Sequence, residues 1–331
     1  MSSRTHLDRL VEQALHGPTP FATDGSLVYV AGAPLDLTVV PSGPANGSKH
    51  PVRIEIGLGG VGGNGSPVAL VNGICCHLIS PQGNGPLGEL CRSLAVKKGL
   101  IPHLVPRPEE DPAISVSVPS GCKPGARDLY IQRLGPPRLS ELAPLAGVIG
   151  AAKALIVGPM PISSGAEGAE TIAMLCGLAD MAPDSYCALT PHPSLITHAD
   201  FARVARRFRY IQMNAAEANL LDPALENLVA LGDRLLDLLG EDHEMAITNG
   251  DQVGRLWADG QWWPIVPAPV KTTSDVGAGD TFGTAWVVAR RFFTCDVSEA
   301  LDYALRAAAS FLVEGRAIPY QVRLDAMLAA G

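Results

Sequence analysis

The chain has 331 residues, 47% of them hydrophobic and 18% charged, a composition that excludes a disordered protein and fits a globular one with a core. Its formal net charge of −8 argues against non-specific binding to nucleic acid or to an acidic membrane surface. No run of about 18 uninterrupted apolar residues suggests a membrane span, and no basic start followed by an apolar core suggests a secretory signal.

Residues 4–16 carry an amphipathic helical pattern, with Leu7, Leu10, Val11 and Leu15 on one side. The polar, Gly/Pro-containing stretch 17–25 follows. Residues 1–25 are therefore read as an N-terminal extension with a short helix, and 26–331 as one domain. From residue 26 short apolar runs alternate with helical patterns. Strands are expected at 27–31, 75–79, 154–157, 186–190, 210–213 and 245–248, and helices near 86–98, 139–148, 166–180, 200–208 and 223–239. In the last of these Asp222 is placed to cap, Pro223 fits the first helical position and Gly240 ends the helix. The alternation argues for a mostly parallel sheet covered on both faces.

Two stretches, 37–56 and 113–134, are instead extended and turn-rich, and predict a small separate sheet. Antiparallel strands are expected at 253–257 and 262–266. A helical run follows at 281–293, and a last helix at about 297–313 has Asp296 and Glu299 as a capping pair.

The seven cysteines include no Cys-x-x-Cys pair and most sit in apolar runs, so reduced, buried thiols and a cytoplasmic home are expected. The eight histidines show no ligand spacing, and His192 reads as a loop residue. The cluster Arg203, Arg206, Arg207 and Arg209 reads as a solvated face.

The most informative string is Ser274-Asp275-Val276-Gly277-Ala278-Gly279-Asp280-Thr281-Phe282. A Gly-Ala-Gly turn opening a helix presents free N–H groups beside a positive dipole end, which suits a phosphate. Asp280 in that mouth could abstract a proton during phosphoryl transfer, or could simply be an N-cap after a glycine turn. Asn214-Ala215-Ala216-Glu217 offers hard oxygen ligands for Mg²⁺, and an N-cap with Glu at the third helical position explains it equally well. Thr248-Asn249-Gly250, followed by Gly254, is a strand end with a nucleotide-facing turn or an ordinary hairpin turn. Asp36, after Gly32, could accept hydrogen bonds from sugar hydroxyls or form a turn.

Gly57-x-Gly59-x-x-Gly62 matches a dinucleotide fingerprint, but the strand at 75–79 is followed by Ser80-Pro81-Gln82-Gly83 and the first acid is Glu89, so the ribose-binding acid is missing. No Walker-type Gly-x-x-x-x-Gly-Lys occurs.

Taken in order, from about residue 26 to about 318, these motifs resemble the ribokinase (PfkB) family of carbohydrate kinases. Its signature, Asp-Thr-Thr-Gly-Ala-Gly-Asp-x-Phe, is matched at Gly277, Ala278, Gly279, Asp280 and Phe282. The resemblance implies a ribokinase-like three-layer α/β/α fold with a mostly parallel central sheet and a small β-sheet lid built from 37–56 and 113–134. It implies ATP-dependent phosphoryl transfer to a hydroxyl of a sugar or sugar-like molecule. Asp280 would be the base, with Gly277, Ala278 and Gly279 forming the anion hole. Asp36, Gly59, Gly60 and Asn64 would contact the acceptor, the last three as the family's Gly-Gly-x-x-x-Asn. Thr248, Gly250 and Gly254 would face the nucleotide, and Asn214 and Glu217 would organise Mg²⁺. A homodimer through the lid is the assembly left open.

Two departures carry consequences. Ser274 stands where the family has Asp, and the carboxylate moves to Asp275, on the opposite face of an extended chain. Little dependence on a monovalent cation is therefore expected. Thr190-Pro191-His192-Pro193-Ser194 stands where Asp-Pro-Asn-x-Arg is usual, without the Arg. Two other classes follow: a kinase-like protein that binds sugar or nucleotide without turnover, and an NAD(P)-dependent oxidoreductase using Gly57, Gly59 and Gly62.

Overall fold

The strand β1 (Ser26–Val30) sits inside the larger of two sheets, and its neighbours on both sides are parallel to it. Leu27 and Tyr29 contribute to the core on one side of the sheet, Val28 and Val30 to the core on the other. That split is the two-residue period of a strand buried on both faces. The computed structural model describes residues 25–42, 51–83, 85–110, 112–119, 127–132, 134–225, 227–270, 276–315, 317–318 and 320. The helix expected at 4–16 and the pair Ser274 and Asp275 lie outside the described residues.

In chain order the elements are β1, β2 (Leu35–Pro41), β3 (Val52–Leu58), α1 (Gly60–Leu70), β4 (Cys75–Gly83), α2 (Gly85–Lys97), β5 (Ile101–Arg107), β6 (Ile114–Pro119) and β7 (Arg127–Gln132). There follow α3 (Leu139–Leu142), α4 (Ala146–Gly150), β8 (Ala154–Val157), α5 (Ala166–Met181), β9 (Tyr186–Leu189), α6 (Pro193–Ile196), α7 (Phe201–Ala205), β10 (Tyr210–Asn214) and α8 (Ala215–Ala218). The chain ends with α9 (Leu228–Leu239), β11 (Glu244–Thr248), β12 (Gly254–Ala258), β13 (Gln261–Ile265), α10 (Ala278–Arg291) and α11 (Val297–Glu314).

The large sheet has the order β13-β12-β11-β10-β9-β8-β1-β4-β5. Every strand from β5 to β11 runs parallel, and β12 and β13 add an antiparallel edge. Helices α1, α10 and α11 pack on one face, and α5, α7 and α9 on the other. The expected mixed α/β architecture with a mostly parallel sheet is thus present. The small sheet, β3-β2-β6-β7, is built from the two stretches that broke the alternation.

Local expectations fail where tertiary contacts or a proline intervene. The Gly-rich run after Gly59 forms a helix, α1, that the sequence pattern did not predict. Its glycines serve close packing: a Cβ on Gly65 would lie 2.2 Å from Thr284 Oγ1 of α10, and one on Gly63 2.3 Å from the Leu58 carbonyl. The helix expected at 139–148 is interrupted at Ala143–Leu145 by a 3₁₀ turn that contains Pro144, which has no N–H to continue the ladder. The helix expected from 223 begins at Leu228, capped by Asn227, whose side chain accepts from the Ala230 N–H. Asp222 instead accepts from Ala224 N–H in a separate turn. Asp296 caps α11 through the Glu299 N–H, as its spacing predicts.

His192 caps the short α6. The arginine cluster is used within the protein: Arg203 pairs with Asp200, Arg207 with Asp180, and Arg206 and Arg209 donate to the carbonyls of Leu238 and Asp242. Among the described cysteines, Cys75 is exposed and Cys76, Cys91, Cys176, Cys187 and Cys295 are buried. No described helix is long and apolar enough to cross a membrane.

Candidate active site

The start of α10 is set by Gly277, which takes φ = 93°. A side chain there would be strained and would press within 2.9 Å of the Phe311 ring. The Gly277 carbonyl accepts the Thr281 N–H at 3.0 Å and the Thr281 hydroxyl at 2.9 Å. By helix geometry the N–H groups of Ala278, Gly279 and Asp280 then have no partner within the helix, and they sit at the positive end of its dipole. Gly279 is exposed, so this end of α10 opens outward.

Gln212 props that turn from below. Its side chain is buried in β10, and Nε2 donates to the Gly279 carbonyl at 2.8 Å. Gly283 makes room for it, since a Cβ there would lie 1.9 Å from Gln212 Oε1. Sequence reasoning missed Gln212. The available signal was an amide inside an otherwise apolar strand, two residues before Asn214.

Asp280 is half-buried in the first turn of α10. Asn64, in α1, donates its amide N–H to Asp280 Oδ2 at 2.9 Å. Burial pushes the Asp280 carboxyl up to about 6 against the lowering effect of that hydrogen bond, and the carboxylates of Asp36 and Glu217 raise it further. Desolvation therefore outweighs the amide hydrogen bond. A carboxyl near 6 is suited to exchanging a proton around neutral pH.

Asp36 lies at the start of β2, in register with Gly57 and Ser115. Its carboxylate packs against Gly59, where a Cβ would come within 2.0 Å of Oδ2. Burial raises its carboxyl, while a hydrogen bond from Ser115 and the charge of Lys98 act the other way. Lys98 itself donates to the carbonyls of Leu58 at 3.0 Å and Gly63 at 2.7 Å, tying β3 to α1, a role with no local sequence signal. Gly60, with φ = 69°, cannot carry a side chain because a Cβ would lie 2.2 Å from the Gly32 carbonyl.

This arrangement overturns the dinucleotide reading of Gly57, Gly59 and Gly62. The fingerprint needs two parallel strands of one sheet joined through the helix. Here β3 pairs antiparallel with β2 in the small sheet, whereas β4 belongs to the large one. The carboxylate of Asp36 also already packs against Gly59, at the turn where a pyrophosphate would have to approach.

A cavity of about 190 Å³ lies between the small sheet and the C-terminal ends of β1 and β8, and Asp36, Gly60, Asn64 and Asp280 all face it. Among the described residues Ser115 and Gln132 are its other polar side chains, and Pro34, Met160, Leu134 and Ile131 are among its apolar ones. Four of the expected residues thus converge, and Gly59 supports them from behind Asp36. Asn64, expected to reach a substrate, is also bound to Asp280.

The remaining candidates stand apart from this cavity. Asn214 and Thr248 are register partners at the C-terminal ends of β10 and β11, the edge where parallel sheets bind ligands. Asn214 and Glu217 cap each other: Asn214 Oδ1 accepts the Glu217 N–H at 2.8 Å, and Glu217 Oε2 accepts the Asn214 N–H at 2.9 Å. Burial raises the Glu217 carboxyl, and its charge acts on Asp280. Gly250, with φ = 60°, makes the turn after β11, and a side chain on Gly254 would strike the Ile247 carbonyl at 2.4 Å. Among the described residues no group of three or more His, Cys, Asp or Glu could hold a metal ion.

No family model matches the sequence, and no curated protein matches it. Solved structures do. Phosphofructokinase-2 from Escherichia coli, in complex with substrates and products, superposes with a TM-score of 0.70 at 16% identity, covering 92% of this chain and 98% of that one. A putative ribokinase II from E. coli gives 0.70 at 14% identity over 92% and 98% of the two chains. A putative ribokinase from Agrobacterium tumefaciens gives 0.70 at 16% identity over 92% and 97%. The chain has the ribokinase-like fold.

Proposed function

We propose that this protein transfers the γ-phosphoryl group of ATP to a hydroxyl of a sugar or sugar-like acceptor. The observation that carries this reading is one side chain: Asp280, its carboxyl pushed up to about 6, joins the open N-terminus of α10 to the cavity that also holds Asp36 and Asn64. An anion site and a base meet there at one place. The solved structures of the same fold are named as sugar kinases, which agrees with this chemistry.

In the proposed reaction the acceptor hydroxyl lies beside Asp280. As the hydroxyl oxygen bonds to the γ-phosphorus and the bond to the β-phosphate oxygen breaks, Asp280 takes the hydroxyl proton and ADP leaves. The N–H groups of the turn Gly277–Asp280 stabilise the charge on the transferring group, an effect worth about 3–4 kcal/mol per donor in comparable sites. Asp36, held by Ser115, accepts hydrogen bonds from acceptor hydroxyls. Asn64 holds the Asp280 carboxylate in place. Thr248, Gly250 and Gly254 are assigned to the nucleotide side because they lie at and beyond the end of β11, next to Asn214.

The donors near β10 fit Mg²⁺. Glu217 has one carboxylate oxygen engaged in the reciprocal cap and the other left for a cation or its water, and a hard ion that keeps most of its waters needs few protein oxygens. When bound, Mg²⁺ would neutralise phosphate charge. Glu217, and Asn214 through the cap it completes, are the residues that would hold it. The small sheet is assigned as a lid over the acceptor, since Ser115 and Ile131 of its strands wall the cavity. Its opposite face exposes Val52, Ile54, Ile56 and Tyr130, a surface that suits a homodimer and is tested by the mass in solution.

The test is ADP release from Mg-ATP against a panel of sugars, nucleosides, sugar acids and sugar phosphates. Acceptor-dependent ADP formation is expected. Its absence for every member of the panel would remove the transferase reading.

A further inference from the structure

Both ionisable side chains among the described residues that line the cavity are carboxylates, Asp36 and Asp280. They belong to one polar cluster: Ser115 bonds to Asp36, Asn64 bonds to Asp280, and the charge of Asp36 acts on Asp280. Much of the remaining wall is of another kind. Leu129, Ile131, Leu134, Pro136, Met160 and Pro161 face the same space; Leu134 and Met160 are buried, and Leu129 and Ile131 are exposed apolar side chains at its rim. Proline also has no backbone N–H to offer a ligand.

A cavity with these two ends selects its occupant. Hydroxyls find side-chain partners at Asp36, Asn64, Ser115 and Asp280 and at the single amide of Gln132, and a hydroxyl pressed against the apolar side chains would lose its water without a replacement. An apolar group on those side chains gains from leaving water. A phosphate or carboxylate on the acceptor would stand near two carboxylates in a partly desolvated space; Lys98 acts on Asp36 from outside the lining and is held by the Leu58 and Gly63 carbonyls, so the balance opposes binding.

We infer that the acceptor is a neutral hydroxylated ring joined to a largely apolar group, the chemistry shared by nucleosides and aryl glycosides. The word acceptor rests on the phosphoryl-transfer reading; the choice of ligand rests on the cavity wall alone. Sugar phosphates, including the fructose 6-phosphate found in one structure of the same fold, and sugar acids are disfavoured.

The experiment uses the wild-type protein and five probes: adenosine, phenyl riboside, ribose, fructose 6-phosphate and gluconate. Binding is measured by calorimetry without ATP, and kcat/KM by ADP formation with Mg-ATP. Adenosine or phenyl riboside should bind at least about tenfold more tightly than ribose, equivalent to about 1.4 kcal/mol. The two anions should bind more weakly than ribose.

A ranking led by ribose, fructose 6-phosphate or gluconate overturns the inference and, if ADP forms, leaves the transferase reading standing. Failure of both adenosine and phenyl riboside to bind also overturns it. Tight binding of either one without ADP formation from any probe does the reverse: it supports the inference and sinks phosphoryl transfer. The order of adenosine against phenyl riboside distinguishes the two sources of the apolar group.

Discussion

Two glycine-rich helix starts look onto the same cavity, and they differ in what faces their N-terminal N–H groups. At α1 the turn is Gly59-Gly60, and the carboxylate of Asp36 packs directly against Gly59. At α10 the turn is Gly277-Ala278-Gly279; Gly279 is exposed, and Asp280 extends from the helix itself. Both use a glycine with positive φ, Gly60 at 69° and Gly277 at 93°. The same local chemistry therefore lies against a carboxylate from another strand in one place and opens outward in the other. A glycine turn before a helix is a capacity to bind an anion; a neighbouring carboxylate from another strand decides whether that capacity is already used.

The largest expected effect separates the two carboxylates. Asp280→Asn should lower kcat by at least ~10²-fold, the low end for loss of a general base. Asp36→Asn should act mainly through the acceptor KM. Steady-state kinetics on both variants tests this, and equal losses in kcat would erase the distinction between an acceptor anchor and a base.

The glycines sharpen the same contrast. Gly59→Ala and Gly277→Ala should each cost about 1–3 kcal/mol of folding stability, the first by overpacking and the second by adding backbone strain. Their binding defects should differ: Gly59→Ala displaces Asp36 and weakens acceptor binding, whereas Gly277→Ala disturbs the open turn and weakens the nucleotide. Urea denaturation with calorimetry on each ligand reads both. A nucleotide defect in Gly59→Ala larger than that in Gly277→Ala would reverse the assignment.

Titration of Asp280 gives two further outcomes of about equal size. Its carboxyl lies near 6 in the folded protein against an ordinary value of 3.8, so its ionisation weakens the fold. That cost is fully felt above about pH 6 and vanishes as the pH falls towards 3.8. Asp280→Asn should therefore unfold at higher urea at pH 7.5, by about 1–3 kcal/mol, with the gain gone near pH 4. Catalysis needs the ionised form, so kcat/KM of the wild type should fall about tenfold per pH unit below about 6. An acid limb centred near 4 would mean that Asp280 is better solvated than its surroundings imply.

The smallest effect concerns the helix start at β10. Glu217→Gln preserves the reciprocal cap, so stability should change by less than about 0.5 kcal/mol, while the Mg²⁺ needed for half-maximal activity should rise by roughly threefold. An unchanged Mg²⁺ titration would leave the Asn214–Glu217 pair as a cap alone.

Much of the large sheet was legible because a buried strand writes its environment into its own residues. The apolar runs at β1, β8, β9, β10 and β11 need no knowledge of their partners to be recognised. Gly277 to Asp280 was legible for a related reason: a turn needing positive φ, followed by an amphipathic run, is a local statement. Helix α1 was not. Gly60, Gly62, Gly63 and Gly65 lower helix propensity, and what favours the helix is the narrow space against Leu58, Leu78 and Thr284. Gln212 and Lys98 stayed hidden because each acts on a carbonyl far along the chain, Gln212 on Gly279 and Lys98 on Leu58 and Gly63.

By itself the sequence determined the alternation of strands and helices, the two turn-rich stretches that became the small sheet, and the residue types able to hold a phosphate and take a proton. Those are consequences of burial period and backbone freedom, which act over a few residues. Tertiary structure alone decided that Asn64 meets Asp280 across 216 positions of chain, and that Asp36 sits against one glycine turn and not the other. It also decided that apolar side chains from β7 and from beyond β8 wall one cavity. Proximity between distant segments is set by how the sheet order and helix packing close around the core, and no local property of Asp36, Asn64 or Asp280 contains it.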